Sequence, residues 1–445
     1  MYKLLFPGRT ILQTVLITIL AVQSHPLFGA DVNVDSFTLD NGMQVVVIPQ
    51  SGTPVITHMV WYKVGSADDP PGKSGLAHLL EHLTFSSRKT YSDSDIVTES
   101  GGHENADTSY DYTAYYQVID DDLLETVMKL ETDRMSKLAI TDQDVQTDQA
   151  GVLAERQQRI VDDPGALLDE KINAALYPSH SYGNPILGWP VETRRLTRED
   201  AIEFFWRWYA PNNAILVVAG GVTTEQVKFL AQKYYGKLRS APLGQSQREA
   251  KHKAIRRVAM QDEILQHPIW KRAYLAPSYT AGETQYTYSL QVLAEILGGQ
   301  SGRLSHKVVN DKRLATEIFV DYRPDSVDSA SLEVSAIPAP GVDVAELEKA
   351  IDTELDAVVS DGVSPADVTH VTQHMQADAQ YLQGDPYTVA EIFGIGLATG
   401  RTVEEIANWS HLMAAVTPEQ VQEAARAVLG TSRSVSGVML PTSSE

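Results

Sequence analysis

The order of structural elements that the sequence predicts occurs twice, on either side of one polar segment. In the first part, an Asn-Gly turn at Asn41 between two apolar runs predicts a β-hairpin. A further strand, a turn-rich loop and an apolar helix follow, and this strand–loop–helix order returns from Trp270 onward. Residues 240–260 are expected to form a linker, because the stretch from Ser240 to Lys253 is polar and contains Pro, Gly, Ser and Gln. A repeat of about 200 residues indicates a duplicated domain, not a solenoid.

The fold class follows from this repeat. We expect an α+β protein with two homologous α/β-sandwich-like domains, each an antiparallel-rich sheet packed with helices. A chain of 445 residues with 43% hydrophobic residues is long and apolar enough for two such cores. The expected divisions are 1–30 for a signal peptide or N-terminal anchor, 31–239 for a zinc-binding domain, 240–260 for the linker, and 261–445 for a homologous domain without metal ligands.

The first apolar helix, from Gly75 to Leu83, contains two histidines four residues apart. On a helix His78, Glu81 and His82 lie on one face. Two imidazoles one turn apart can chelate zinc, and a neighbouring carboxylate can serve as a general base. This H-x-x-E-H pattern is typical of a metallopeptidase. With 12 His in 445 residues, chance alone gives such a match in roughly two chains per hundred, so the motif needs support from elsewhere.

A catalytic zinc site needs a third protein ligand from another element. The helix predicted over 142–161 carries Glu155, with Asp148 two turns earlier on the same face. Glu155 could be that ligand. Asp148 could contact one of the ligands and fix its orientation without binding the metal itself. The spacing alone favours the alternative, a solvated acidic helix face.

Composition excludes several classes of function. The chain has no cysteine, which removes disulfides, thiolate catalysis and cysteine-ligated zinc. Its net charge of −22 argues against nucleic acid or an anionic membrane as the main partner. An acidic chain suits basic or neutral substrates, but acidity can also serve solubility alone.

The N-terminus has the pattern of an export signal. A basic start, with Lys3 and Arg9, precedes an apolar run from Thr10 to Val22 that is short for a bilayer span. Cleavage could follow Ala30 or Ser24, and an uncleaved anchor is the alternative. Export from a bacterial cell would place the mature chain in the periplasm, without a stable membrane span.

Taken together, these segments resemble the pitrilysin and mitochondrial processing peptidase family, the inverzincins. The similarity runs from Phe37 to about Tyr235 and, more loosely, from Trp270 onward. It is carried by the segment that ends in Gly75-Leu-Ala-His-Leu-Leu-Glu-His82, by Gly101-Gly102 with Asn105-Ala106 and Thr108, by Gly151-Val-Leu-Ala-Glu155, and by Tyr209-x-Pro-Asn-Asn213. The length is that of the half-sized, two-domain members.

The resemblance implies a zinc endopeptidase that cleaves peptides or unfolded segments inside an enclosed chamber. It implies that His78, His82 and Glu155 bind one Zn²⁺ per chain, that Glu81 is the general base, and that Asp148 has a role in orienting a ligand. Asp148 stands where the family usually has a glutamate, so this last assignment is a departure from the pattern.

The resemblance also assigns the substrate edge. Asn105 and Ala106 would lie on an edge strand that pairs with an extended substrate through backbone hydrogen bonds. Asn105 could instead be an ordinary turn residue.

A second departure concerns the second half. Active single-type members of the family carry an Arg and a Tyr there that contact the substrate, and this chain has Val309 and Thr316 at those positions. Arg303 resembles a different scaffold position. We therefore expect a heterodimer in which an inactive homologous subunit supplies the Arg/Tyr pair.

Two alternatives remain at the level of sequence. The scaffold could form a non-catalytic structural or peptide-binding subunit, although all four residues of the metal site are present. The chain could also work as a monomer or homodimer, against which the missing Arg/Tyr pair counts.

Overall fold

The computed structural model describes residues 33–86, 96–244, 256–299, 302–430 and 434–442. Its strands are β1 Asp35–Thr38, β2 Gln44–Pro49, β3 Val55–Tyr62, β4 His103–Thr108, β5 Thr113–Asp120, β6 Ala214–Gly220, β7 Arg256–Asp262, β8 Ile269–Ala276, β9 Ala315–Tyr322, β10 Ala330–Pro338 and β11 Ser434–Pro441.

The described α-helices are α1 Leu76–Ser86, α2 Ile96–Glu99, α3 Leu124–Ser136, α4 Asp142–Arg156, α5 Pro164–Leu176, α6 Pro190–Thr193, α7 Arg198–Trp208, α8 Thr224–Tyr234, α9 Thr287–Gly298, α10 Val344–Asp361, α11 Pro365–Leu382, α12 Pro386–Ala398, α13 Val403–Ala407, α14 Trp409–Ala414 and α15 Pro418–Val428. A π-helical turn, Gln157–Val161, continues α4, and another spans Ser305–Asp311. Short 3-10 turns lie at Ser66–Asp68, Asp121–Leu123, Ser181–Gly183, Pro211–Asn213, Tyr235–Lys237 and Thr284–Tyr286.

The two halves share one topology. The first sheet has the strand order β1-β2-β6-β3-β5-β4 and the second has β7-β11-β8-β10-β9. In the first sheet, β2 pairs in parallel with β6, the last strand of that half. In the second sheet, β7 pairs in parallel with β11, again the last strand of its half. The other strand pairs of both sheets are antiparallel. In chain order, α1 lies between β3 and β4, and α9 lies between the equivalent strands β8 and β9. The predicted α+β fold with internal duplication is therefore confirmed.

The first sheet is buried on both faces, as its nearly continuous apolar strands require. One face packs against α1, α3, α7 and α8. The other face, which includes Met59, Trp61 and Ile215, packs against Phe393 and Leu397 of α12, a helix that comes from the second half.

The second sheet is covered in the reciprocal way. One face packs against α9, α10 and α15. The other face packs against Leu168 and Ile172 of α5, which belongs to the first half. One helix of each half therefore packs on the sheet of the other half, and the two halves interlock. Both helices begin with an aspartate cap followed by proline, Asp163-Pro164 and Asp385-Pro386.

The linker predicted at 240–260 extends too far. Residues 256–260 belong to β7, which pairs in parallel with β11 near the end of the chain. Composition suggested a linker here, but a partner strand about 180 residues away stabilises the extended backbone. Residues 245–255 and the predicted signal or anchor at 1–30 lie outside the described residues. Within the described ranges, no helix combines the length and apolarity needed to cross a bilayer.

Candidate active site

The helix α1 is held at its N-terminus by a carboxylate from the preceding loop. Asp69 accepts the backbone N–H of Gly75 at 2.7 Å and that of Ala77 at 2.8 Å. These are helix-start donors that have no partner inside the helix. Gly75 has a φ of 87°, and a Cβ there would lie 2.9 Å from the carbonyl oxygen of Leu187, so glycine is required. The entry of the chain into α1 is thus fixed before the motif begins.

Three of the predicted site residues meet at the contact of α1 with α4. The Nε2 atoms of His78 and His82 lie 3.7 Å and 3.3 Å from Oε2 of Glu155. The ligand atoms of the three side chains all lie within 4.8 Å of one another. His78 is buried, and His82 and Glu155 are half-buried. Among the described residues, these three form the group that could hold a metal ion.

The charge states of two of these groups suit a metal. Burial, followed by the charge of His82, lowers the pKa of His78 to about 4, so its imidazole is neutral. Burial would raise the pKa of Glu155, but the hydrogen bond with His82 and the charge of His78 outweigh it and lower that pKa to about 2. A neutral imidazole and an ionised carboxylate are the forms that bind metals.

The residues also pass a test of fit for zinc. Nδ1 of His78 is buried and has no hydrogen-bond partner in the described part of the chain. Since Nε2 faces Glu155, a metal would bind Nε2 and Nδ1 would carry the ring proton, so metal binding would leave Nδ1 as it is. Two imidazoles and one carboxylate form the ligand set of a catalytic zinc site with an open position.

Glu81 lies beside this group on α1. The hydroxyl of Thr108 in β4 donates to Oε2 of Glu81 at 2.6 Å. Burial raises the pKa of Glu81 to about 7, against the hydrogen bond from Thr108 and the charge of His82. The carboxylate is therefore close to the point at which it can both accept and release a proton near neutral pH.

The helix α4 approaches α1 through a glycine. A Cβ on Gly151 would lie 4.0 Å from Nδ1 of His82, so the small residue faces the imidazole. Asp148 is half-buried on the same helix, and its charge is among those that raise the pKa of His82 after burial has lowered it. The structure thus brings Asp148 near His82.

The strand β4 is the edge of the first sheet in the described part of the chain. Asn105 lies opposite Tyr116 of β5 and Ala106 lies opposite Tyr115, and both are half-buried. The other side of β4 pairs with no described strand. Because Thr108 at the end of β4 contacts Glu81, this open edge leads to the Glu81 carboxylate.

Behind Glu81 lies a buried polar cluster that no local sequence pattern predicts. The hydroxyl of Thr84 donates to the carbonyl oxygen of Glu81 at 2.9 Å and contacts the hydroxyl of Tyr115 at 2.7 Å. The guanidinium of Arg134 lies 4.2 Å from the centre of the Tyr115 ring. Thr108 belongs to the segment with Asn105 and Ala106 that carries the family resemblance, and strand alternation places it on the α1 side with Ala106.

The second half has lost this site. At an offset of 213 residues (291 − 78), Gln291, Ala294 and Glu295 replace His78, Glu81 and His82. Gln291 has a structural role, since its Nε2 donates to the hydroxyl of Tyr279 at 2.9 Å and its Oε1 accepts from Trp409 Nε1 at 3.1 Å.

Neither residue at the Arg/Tyr positions could serve in their place. Val309 packs half-buried against the second core, and Thr316 is exposed on the edge strand β9. The side chain of Arg303 contacts Glu354 at 3.2 Å.

The fold and the converging side chains define a two-domain protein with the ligand set of a zinc metallopeptidase. Sequence models of known families agree. The model described as insulinase (peptidase family M16) matches residues 44–189, and the model described as peptidase M16 inactive domain matches residues 195–374. The chain belongs to the M16 family. The second of these matches contains α9, where the ligands are replaced.

Relatives share most of this chain. The zinc protease PqqE of Helicobacter pylori is 29% identical to this chain over 354 residues. The aligned region covers 77% of this chain and 79% of PqqE. The crystal structure of a protease from Helicobacter pylori has a TM-score of 0.86 at 25% identity and covers 92% of this chain and 99% of that one. The periplasmic protease PqqL of Escherichia coli matches at a TM-score of 0.75 and 16% identity, and covers 92% of this chain but 47% of its own. The last match shows the fold alone.

Proposed function

We propose that this chain is a zinc-dependent endopeptidase that cleaves peptides or unfolded segments. The observation that carries the proposal is the convergence of His78, His82 and Glu155 from two helices beside Glu81. The names of the relatives as zinc proteases support the same class of reaction.

In this mechanism His78, His82 and Glu155 would hold the zinc ion. Bound zinc would polarise the scissile carbonyl and lower the pKa of a water molecule to about 7. Glu81 accepts the proton of the attacking water and passes it to the leaving amine. Thr108 fixes the orientation of the Glu81 carboxylate, and Asp148 stabilises the ring of His82 from α4.

The open edge of β4 receives the substrate. An extended segment can add to β4 as a further strand, through backbone hydrogen bonds along Asn105 and Ala106. Unfolded segments and peptides can present such an extended backbone, so they are the substrates that fit best. Main-chain pairing by itself selects little among sequences.

The test of activity compares wild type with Glu81→Gln. We expect wild type to cleave an internally quenched peptide and to lose this activity with a chelator. The isosteric Glu81→Gln change should abolish cleavage while it leaves zinc binding intact. A wild-type chain that cleaves nothing, with or without partners from its native source, would leave the scaffold as a structural or peptide-binding subunit.

We further propose that the catalytic chamber is completed by an inactive homologous subunit that supplies an Arg/Tyr pair. Val309 and Thr316 cannot replace these side chains, and Arg303 is engaged with Glu354. A single PqqL chain contains about twice the present fold, which supports a two-half arrangement. Copurification from the native source should identify a second M16 chain, and mixing the two should raise kcat/KM. Full activity of the purified chain alone would contradict the heterodimer but not the peptidase.

Export to the periplasm is part of this proposal. It is supported by the pattern of residues 1–30 and by the description of PqqL as a periplasmic protease. Fractionation of the native cells would test it directly.

A further inference from the structure

The two oxygens of the Glu155 carboxylate face different partners. Oε2 faces the histidines of α1, at 3.3 Å from Nε2 of His82 and 3.7 Å from Nε2 of His78. Oε1 accepts a hydrogen bond from Nη1 of Arg159 at 2.7 Å. Arg159 therefore contacts the metal-ligand group through the carboxylate oxygen that does not face the histidines.

The local structure of the chain brings Arg159 to this oxygen. Arg159 follows Glu155 by four residues, in the π-helical turn that continues α4. Side chains four residues apart on a helix lie on the same side, and the order acidic then basic is the favourable one. The neighbouring Arg156 points elsewhere, since its Nη2 lies 2.7 Å from Oε2 of Glu170. The described contacts thus pair Arg159 with Glu155 and Arg156 with Glu170.

The ion pair between Arg159 and Glu155 adds little to the stability of the fold. The side chain of Arg159 is 61% exposed, and water screens a pair of this kind. Its effect is on geometry, because a short charge-assisted hydrogen bond fixes the orientation of the carboxylate. Metal ligands are commonly oriented in this way by a partner that does not bind the metal itself.

The orientation of Glu155 decides how many positions around a metal the protein fills. A carboxylate has two oxygens and can bind through one or through both. Through one oxygen, Glu155 and the two imidazoles fill three positions of a tetrahedral zinc ion, and the fourth is open for water or substrate. Through both oxygens, the protein supplies four donors, and a water molecule can bind only as a fifth.

We propose that Arg159 is a positioning residue that holds Oε1 of Glu155 off the metal, so that Glu155 binds through Oε2 alone and one coordination position stays open. The inference rests on the proposed function, since it takes His78, His82 and Glu155 as the zinc ligands. Without the guanidinium, the carboxylate can rotate about its last bond and offer both oxygens to the metal.

The test measures coordination of the metal, so that it does not depend on turnover. Co²⁺ takes the place of zinc in the full chain, and its visible absorption bands are strong with four donors and weaker with five. Arg159→Met keeps most of the side-chain length and removes both the charge and the donor. We expect the bands of this variant to lose intensity relative to wild type, because a fifth donor reaches the ion.

Crystal structures of the zinc-loaded proteins give the same comparison as distances. In wild type, Oε2 of Glu155 should lie about 2.0–2.2 Å from zinc, with Oε1 on Arg159 and outside bonding distance. In Arg159→Met both oxygens should lie within bonding distance. Circular dichroism checks that the variant is folded, as an exposed substitution allows.

Two further variants separate the hydrogen bond from the charge alone. Arg159→Lys keeps a cation with N–H donors four residues after Glu155, so it should retain the wild-type cobalt spectrum. Arg239→Met, at an exposed site beyond α8, removes the same charge far along the chain and should also retain it.

Two results would overturn the role of Arg159: a wild-type spectrum in Arg159→Met, or an equal loss of intensity in Arg239→Met, which would make the loss a general effect of charge. Peptide cleavage by wild type reports separately on the proposed function. The predicted spectra in a chain that cleaves no peptide would support the role of Arg159 and contradict the peptidase. Cleavage by wild type, with no change of spectrum in Arg159→Met, would have the opposite meaning.

Discussion

Thr108 holds the carboxylate of Glu81 through a hydrogen bond of 2.6 Å. Thr108→Val keeps the shape of the side chain and removes the donor. We expect kcat to fall about tenfold or more, since a hydrogen bond to a charged group contributes about 1.5–3 kcal/mol. Zinc content and KM should change little. Thr108→Ser, which restores the hydroxyl, should recover most of kcat; equal kcat for the valine and serine variants would contradict this role.

His58 makes the stability of the first half depend on pH. It is buried, with Nδ1 2.8 Å from Gln117 Oε1 and Nε2 3.0 Å from the Tyr235 hydroxyl. Burial lowers its pKa, so between that value and the ordinary 6.5 the unfolded chain binds the extra proton and the folded chain does not. Stability therefore falls as pH drops below 6.5.

His58→Gln should remove this contribution. We expect the urea midpoint of wild type to fall between about pH 7 and pH 5 more steeply than that of the variant. The comparison of slopes isolates His58, because the other titrating groups are common to both proteins. Parallel slopes would show that His58 does not govern the acid response.

Part of the site could be predicted from the sequence, because some of its geometry is local. The spacing of His78 and His82 on one helix fixes their shared face. Glu155 was ambiguous from the residues alone, because nothing local distinguishes a ligand from a solvated carboxylate on another helix. Asp69 holds the start of α1 from the preceding loop, and no local pattern encodes that contact.

At the scale of elements, α12 packs on the first sheet through a glycine. A Cβ on Gly394 would lie 2.0 Å from Cε2 of Trp61, so even alanine cannot enter without displacing the indole. We expect Gly394→Ala to destabilise the chain by about 1–3 kcal/mol, as overpacking of a core does. Gly430→Ala is the matched control, since a Cβ there would meet no described atom within 4 Å.

A second substitution distinguishes overpacking from a loss of backbone freedom. Trp61→Phe gives a smaller ring and should restore part of the thermal stability of Gly394→Ala, although it costs stability in the wild-type background. Additive losses in the double variant would mean that the two side chains are not in conflict.

The elements themselves were largely predictable, and their partners were not. The hairpin, the helices and the repeat follow from periodicity and turn residues. The apolar faces of α5 and α12 indicate burial but do not state against which sheet. The exchange of these two helices depends on the contact of the two halves, for which the sequence has no local signal.

At the scale of the molecule, this exchange makes the halves mutually dependent. We expect fragments cut between residues 250 and 251 to aggregate when expressed alone, since each leaves one sheet face uncovered. Expressed together, they should form a soluble complex that unfolds in one transition. Two separately soluble fragments, each with its own cooperative unfolding, would contradict the interlocked arrangement.

Two helices of the first half build the proposed catalytic zinc site, and metal analysis tests this assignment most directly. Wild type and Glu81→Gln should each copurify with about one zinc ion per chain, as a three-ligand site holds. Glu155→Ala should lose most of the metal while it stays folded by circular dichroism. A Glu155→Ala chain with wild-type zinc content, or a wild-type chain that binds none, would contradict the assignment.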